Sequence, residues 1–171
     1  MKPPNDRKDL ARIVTRILEI TCQKQSSESI IDTKQRSPFD FEDDQRPTIG
    51  LRAYIERFVN GPWCSDEAMS ITLLIIDRIV SKSQIVMTMN NVFLLFATSF
   101  MISSKVHDDK FYTNKWFAYV SGVSIREINS LELAALISID FDVSVSQPDW
   151  LVYHSLLFVI DSSDHDLHLF F

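Results

Sequence analysis

Glycine is scarce in this chain of 171 residues: there are three, Gly50, Gly61 and Gly122. No G-x-G-x-x-G or G-x-x-x-x-G-K-[ST] can be written with them, which excludes the glycine-rich loops that cradle phosphates. The G-x-S-x-G elbow of serine hydrolases is missing as well. A hairpin-rich all-β chain, whose tight turns draw on glycine, is disfavoured for the same reason. Cysteine is scarcer still. Cys22 and Cys64 stand far apart with no C-x-x-C, so neither a disulfide framework nor a zinc ribbon is signalled, and a reducing compartment is expected. A basic excess is also lacking. Seventeen Lys and Arg face 23 Asp and Glu, a net charge of −6 that disfavours nucleic acid and suits protein partners. The opening Met-Lys-Pro-Pro-Asn-Asp has no apolar stretch of the kind a secretory signal needs. The charge-free segment Ser83–Ser104 is interrupted by Gln84, Asn90 and Asn91. Its strongly apolar run, Val92–Ile102, is far below the roughly 20 residues that span a bilayer. It predicts a buried core helix, with no membrane partner.

What is present is helical periodicity in a length that makes one domain and needs no disulfide or metal to fold. Leu10, Ile13, Val14, Ile17 and Leu18 recur at i, i+3, i+4, i+7 and i+8, an amphipathic helix in residues 1–22. Residues 23–46 are polar and acidic with little periodicity, and read as a flexible tether. A helix opens at Pro47-Thr48 and is stopped by Asn60-Gly61-Pro62. Ser65 is an N-cap with Asp66 and Glu67 in the first turn behind it, and starts a helix to about Ser81. Further helices are expected over about Thr88–Val106 and Asn114–Val120, the second ended by Gly122. Ser124-Ile125-Arg126-Glu127 is a capping box for a helix to about Ile139, and Pro148 begins a last one.

Several of these stretches resemble the cyclin box of the P/U-type cyclins, the family of the fungal phosphate-response cyclins. Pro47-Thr48-Ile49-Gly50-Leu51 with Tyr54-Ile55-Glu56-Arg57 resembles its opening, and Ile76-Asp77-Arg78 its second helix. Asn91-Val92, Leu95, Thr98-Ser99 and Ser104-Lys105 resemble the third helix. Asn114, Trp116-Phe117-Ala118 and Val120-Ser121-Gly122-Val123 are similar to the following segment, and Glu127-Ile128-Asn129-Ser130-Leu131-Glu132 with Phe141 to the next. The match is gapless over about residues 90–143 and covers roughly 47–154. It implies an all-α fold: a single cyclin-box five-helix bundle over 47–145, with the N-terminal helix before it and a C-terminal helix and tail over 146–171. It also implies a regulatory subunit rather than an enzyme, with no cofactor or metal of its own. The expected role is to bind and activate a cyclin-dependent protein kinase in cell-cycle or nutrient signalling, as a monomer until the kinase binds, in the nucleus or cytoplasm. A cyclin-fold scaffold or transcription-related adaptor that binds no kinase is the alternative.

Lys105 and Glu132 stand out among the residues themselves. Each is an isolated ion in an apolar helix, where remaining unpaired would be costly, so the two are expected to pair. The resemblance adds that the matching Lys and Glu grip the kinase around its C-helix; an internal clamp between helices is the plainer reading. Ile102, Val106, Leu136, Phe141 and Val143 match positions that pack on the kinase, although each alone also fits ordinary core. The resemblance also implies that Arg57 and Asp77 form an internal ion pair between the first two box helices. Two weaker motifs complete the reading. His165 and His168 have a spacing that can hold metal on a helix, but stand without convincing further ligands, and a solvated tail is favoured. Ser37-Pro38 suits a proline-directed kinase, with turn chemistry the plainer alternative.

Overall fold

The computed structural model of the chain describes residues 7–28, 36–42, 46–61 and 64–159. Among these there are seven helices and no strand: α1 (Arg7–Glu28), α2 (Leu51–Val59), α3 (Asp66–Ser83), α4 (Val92–His107), α5 (Asn114–Ser121), α6 (Ile125–Ser138) and α7 (Gln147–Val159). The all-α bundle expected from the sequence is what the described residues adopt. His165 and His168 lie outside the described residues.

The helices begin and end where local chemistry stops or starts them. The Ser65 hydroxyl accepts a hydrogen bond from the Ala68 amide, and the Ser124 hydroxyl accepts one from Glu127, so both predicted caps are made. Gly122 closes α5 with φ +77, a left-handed position that glycine adopts without a Cβ penalty. Ser146 accepts from the Asp149 amide and opens α7. α4 starts later than its apolar pattern suggests. Asn91 accepts from the Thr88 amide and Thr88 accepts from Asn90, so residues 88–91 form a side-chain-bonded turn instead of a first helical turn.

α4 is the centre of the bundle: every residue from Val92 to Ser104 is buried. α3 packs along it and is buried from Ala68 through Ile76. Aromatic rings fill the space between α2, α4 and α5. Phe58 meets Phe96, Phe100 and Trp116 edge-on, and Tyr54 meets Phe93 at 5.1 Å between centroids. Burial pushes the Tyr54 phenol above its ordinary value of 10, so it stays protonated and donates to the Ser121 carbonyl. Burial likewise raises the Cys22 and Cys64 thiols to about 12, which keeps both inert at neutral pH.

The N-terminal side adds one finding and corrects one expectation. α1 is an integral part of the bundle: Leu10, Ile13, Val14, Ile17, Leu18 and Cys22 belong to the same core as α4, and Arg7 donates to the Val59 and Gly61 carbonyls. The stretch 23–46 is also not a free tether throughout. α1 continues to Glu28, and residues 36–42 form a strap that inserts Phe39 and Phe41 into the core. The Phe41 ring meets Phe93 edge-on, and its amide donates to the Asn90 carbonyl. Two phenylalanines in a polar stretch lack periodicity, yet each buries a large apolar surface.

Candidate functional site

The last turn of α4 carries Lys105 and α6 presents Glu132, and the two meet. The Lys105 ammonium donates to Glu132 Oε1 at 2.6 Å, with the side chains 23% and 19% exposed. The second carboxylate oxygen is also occupied: Asn114, the first residue of α5, donates to Glu132 Oε2 at 2.9 Å and to Asn129 Oδ1 at 2.8 Å. Three helices therefore converge on one carboxylate. Charge-assisted bonds to both oxygens hold the glutamate in a single orientation. The pair is half-buried, and both side chains keep part of their surface in contact with solvent.

The apolar residues around the pair separate into two groups. Ile102 is buried to 2% and belongs to the core beneath the pair, so as a contact residue it is corrected. Its place, one turn before Val106 on the fully enclosed part of α4, faces the bundle and not the surface. Val106 and Phe141 are open to solvent at 48% and 60%, while Leu136 and Val143 are half-buried. The structure adds two residues that sequence reasoning missed, Leu133 and Ile137, exposed on α6 at 53% and 57%. They lie four apart, alongside Glu132 and Leu136, which are also four apart. A signal for them exists in the sequence. Ile128, Leu131 and Ala135 already supply the buried stripe of α6, so further large apolar residues at 133 and 137 exceed what one face can bury.

Phe141 is displayed by an irregular turn after α6. Asp140 and Phe141 both take left-handed backbone conformations, with φ +55 and +57. For a non-glycine residue this costs roughly 1–2 kcal/mol, least for Asp. The turn closes with the Phe141 amide donating to the Leu136 carbonyl at 2.8 Å. Asp142 accepts from the Ser144 hydroxyl and amide, which hold its carboxyl below the ordinary 3.8, with Arg78 and Lys82 contributing less.

The predicted pair of Arg57 and Asp77 is not brought together. Arg57 is exposed on α2, while the Asp77 carboxylate accepts a hydrogen bond from the Tyr153 hydroxyl of α7 at 2.8 Å. A phenol that remains protonated serves a half-buried carboxylate there; burial first, and then Asp77 itself, raises the Tyr153 phenol above 10. Ser37 has the local role of turn chemistry. Its amide donates to Asp40 at 2.6 Å, and its hydroxyl accepts from the Phe39 amide at 3.0 Å. Among the described residues no cluster of His, Cys, Asp and Glu could hold a metal ion, and no helix is long and apolar enough to cross a membrane.

Comparison with known proteins agrees with this arrangement. The family model described as Cyclin matches residues 8–143, which takes in α1 as well as the box. Cyclin-U4-1 of Arabidopsis thaliana is 27% identical over 158 residues, covering 92% of this chain and 78% of its own. Cyclin-U4-3 of the same plant is 33% identical over 115 residues, 67% of this chain and 52% of its own. The PHO85 cyclin-like protein psl1 of Schizosaccharomyces pombe is 31% identical over 113 residues, 65% of this chain and 46% of its own. The chain thus matches about half the length of the last two relatives.

Proposed function

The chain belongs to the cyclin family, and from that premise we propose that it is the regulatory subunit of a cyclin-dependent protein kinase, docking through the α4–α6 face. The observation that carries the proposal is the Lys105–Glu132 pair, bordered by Val106, Leu133, Ile137 and Phe141, four large apolar side chains about half exposed or more. A free-standing fold that encloses α4 so completely has no internal need for such a rim. Exposed apolar residues around a fixed polar centre form the pattern of a protein contact. A kinase helix laid across this rim buries the apolar side chains while the pair bonds its backbone. The likeness to psl1, named for its resemblance to a PHO85 cyclin, supports a kinase as the partner.

The mechanism is a shift of population. A protein kinase is active only when the Lys–Glu pair that positions ATP is assembled, and placement of its C-helix controls that assembly. A subunit that binds the helix-in state preferentially moves the kinase towards it by its differential affinity. ATP, magnesium and phosphoryl transfer stay on the kinase. The chain itself supplies binding surface, as a monomer before the complex forms, in the nucleus or cytoplasm.

Co-purification with a cyclin-dependent kinase, followed by a phosphorylation assay, tests the proposal. Lys105→Ala or Glu132→Ala leaves the partner ion uncompensated at the interface, a loss of about 2–5 kcal/mol and so roughly thirtyfold or more in affinity. Circular dichroism of each variant first establishes that it folds. Kinase binding unchanged in both folded variants refutes the assigned face.

A further inference from the structure

Phe141 is the most exposed of the rim residues, so its side chain does little to anchor the turn that carries it. A turn with two adjacent left-handed non-glycine residues persists only when its surroundings over-determine it. The anchors come from α3. Arg78 Nη1 donates to the Asp142 carbonyl at 3.1 Å and to the Ser144 carbonyl at 2.7 Å, the two carbonyls on either side of Val143. The same guanidinium stands 3.9 Å from the Asp142 carboxylate and 3.9 Å from that of Asp149, at the start of α7. One planar group thus ties the turn after α6 to the helix that follows it, and its side chain is only 21% exposed. A lysine reproduces this only in part: its one ammonium can donate to carbonyls, as Lys82 does, but it has no second nitrogen to stand beside Asp149 as Nη2 does. Lys82 assists, donating to the Ile139 carbonyl at 3.2 Å and to Asp140 at 3.0 Å. It is 42% exposed and its Asp140 partner 83%, so the weaker hold is there.

We infer that Arg78 is a positioning residue for the docking face: it fixes the 139–146 turn from behind through its carbonyls, so that Phe141 is presented outward in one orientation without touching the partner itself. Preorganisation of this kind raises affinity by removing the ordering cost of the loop at the moment of binding. α3 suits the task because it is buried against α4 from Ala68 through Ile76 and so offers the turn a firmly packed base. The inference rests on the proposed kinase-docking reading for its consequence, but not for the hold of Arg78 on the turn.

Two measurements on the full chain test the two parts separately. In the absence of kinase, chymotrypsin cleaves after an exposed phenylalanine only when the surrounding backbone opens. Arg78→Met, which keeps the aliphatic stem and removes the donors, is expected to speed cleavage after Phe141 on the order of tenfold. Arg78→Lys should fall between it and the unaltered chain, and takes its place if the Met variant does not fold. Kinase affinity, measured with the cyclin-dependent kinase that co-purifies, is then expected to fall in Arg78→Met. Combined with Phe141→Ala, that loss should be smaller than the sum of the two single losses, because both act through one side chain. A purely structural role would give additive losses. Unchanged cleavage after Phe141 overturns the inference, and so do faster cleavage with additive binding losses. If instead Lys105→Ala and Glu132→Ala leave kinase binding intact, the docking face is wrong, while the cleavage rate still decides whether Arg78 holds the turn.

Discussion

The chain contains two short irregular segments with nearly the same local sequence, Phe39-Asp40-Phe41 before α2 and Phe141-Asp142-Val143 after α6, and they meet opposite fates. In the first, both aromatic rings are driven into the core, at 1% and 3% exposure, while the aspartate between them ties the strap to its surroundings. Asp40 accepts from the Ser37 amide and from the Asn90 side chain at the head of α4. In the second, Phe141 is left 60% exposed, and the backbone on its far side is gripped by Arg78 and Lys82. The strap is held mainly by its side chains and the turn mainly through its carbonyls. Phenylalanine spent on packing stabilises the fold, whereas phenylalanine held out on a fixed turn is available to a partner. The difference lies in what each segment finds opposite it: a gap beside Phe93 for the strap, and two cations of α3 for the turn.

The sharpest way to break this comparison is to truncate both rings. Phe39→Ala is expected to cost about 3–5 kcal/mol of stability, the usual loss for a buried phenyl group, and to lower the thermal midpoint plainly. Phe141→Ala should stay within about 0.5 kcal/mol of the unaltered chain in chemical denaturation, as surface changes do, while weakening kinase binding. Equal destabilisation by the two would end the contrast. A smaller effect sharpens it. Asp40→Ala removes the acceptor that links Ser37 and Asn90, and urea unfolding should register a loss of about 0.5–1.5 kcal/mol, the net worth of such hydrogen bonds. No loss there would mean that the two rings alone hold the strap.

The smallest effect concerns acid. The Asp142 carboxyl is held below its ordinary 3.8, chiefly by the Ser144 hydroxyl and amide, so it is the carboxylate that the turn favours. A depressed folded-state pKa contributes stability above the unfolded value and loses it as pH falls through the lowered one. The amide signals of Val143 and Ser144 should therefore titrate with a midpoint below the ordinary carboxyl value of 3.8. A transition between pH 5 and 7 would place control of the turn in another group.

Much of the fold was legible because it depends on near neighbours in the chain. Ser65, Ser124 and Gly122 act through the first or last turn of their own helices, and each does what its position predicts. Lys105 and Glu132 were legible for a different reason: an ion in an apolar helix must find a counter-ion, and the pattern offered one candidate. Residues whose role depends on a distant element were not legible in this way. Asp77 was expected to meet Arg57 of α2 and instead accepts from Tyr153, 76 positions further on. Ile102 lies one helical turn from Val106 and yet is enclosed, because only the last turn of α4 emerges from the bundle. Leu133 and Ile137 resemble core residues in composition and lie on the surface because α6 has neighbours on one side only.

By itself the sequence determined the helical class, the caps, the central apolar helix, the absence of phosphate-binding loops and the family whose motifs it carries. All of these follow from short-range periodicity, hydrogen bonding within a turn, or residue types that are simply missing. Only the tertiary structure decided which phenylalanines are core and which are surface, which acceptors Arg78 serves, and how Asn114 completes the shell around Glu132. Burial and long-range hydrogen bonding are properties of what lies opposite a residue, and three residues of local sequence do not contain that information.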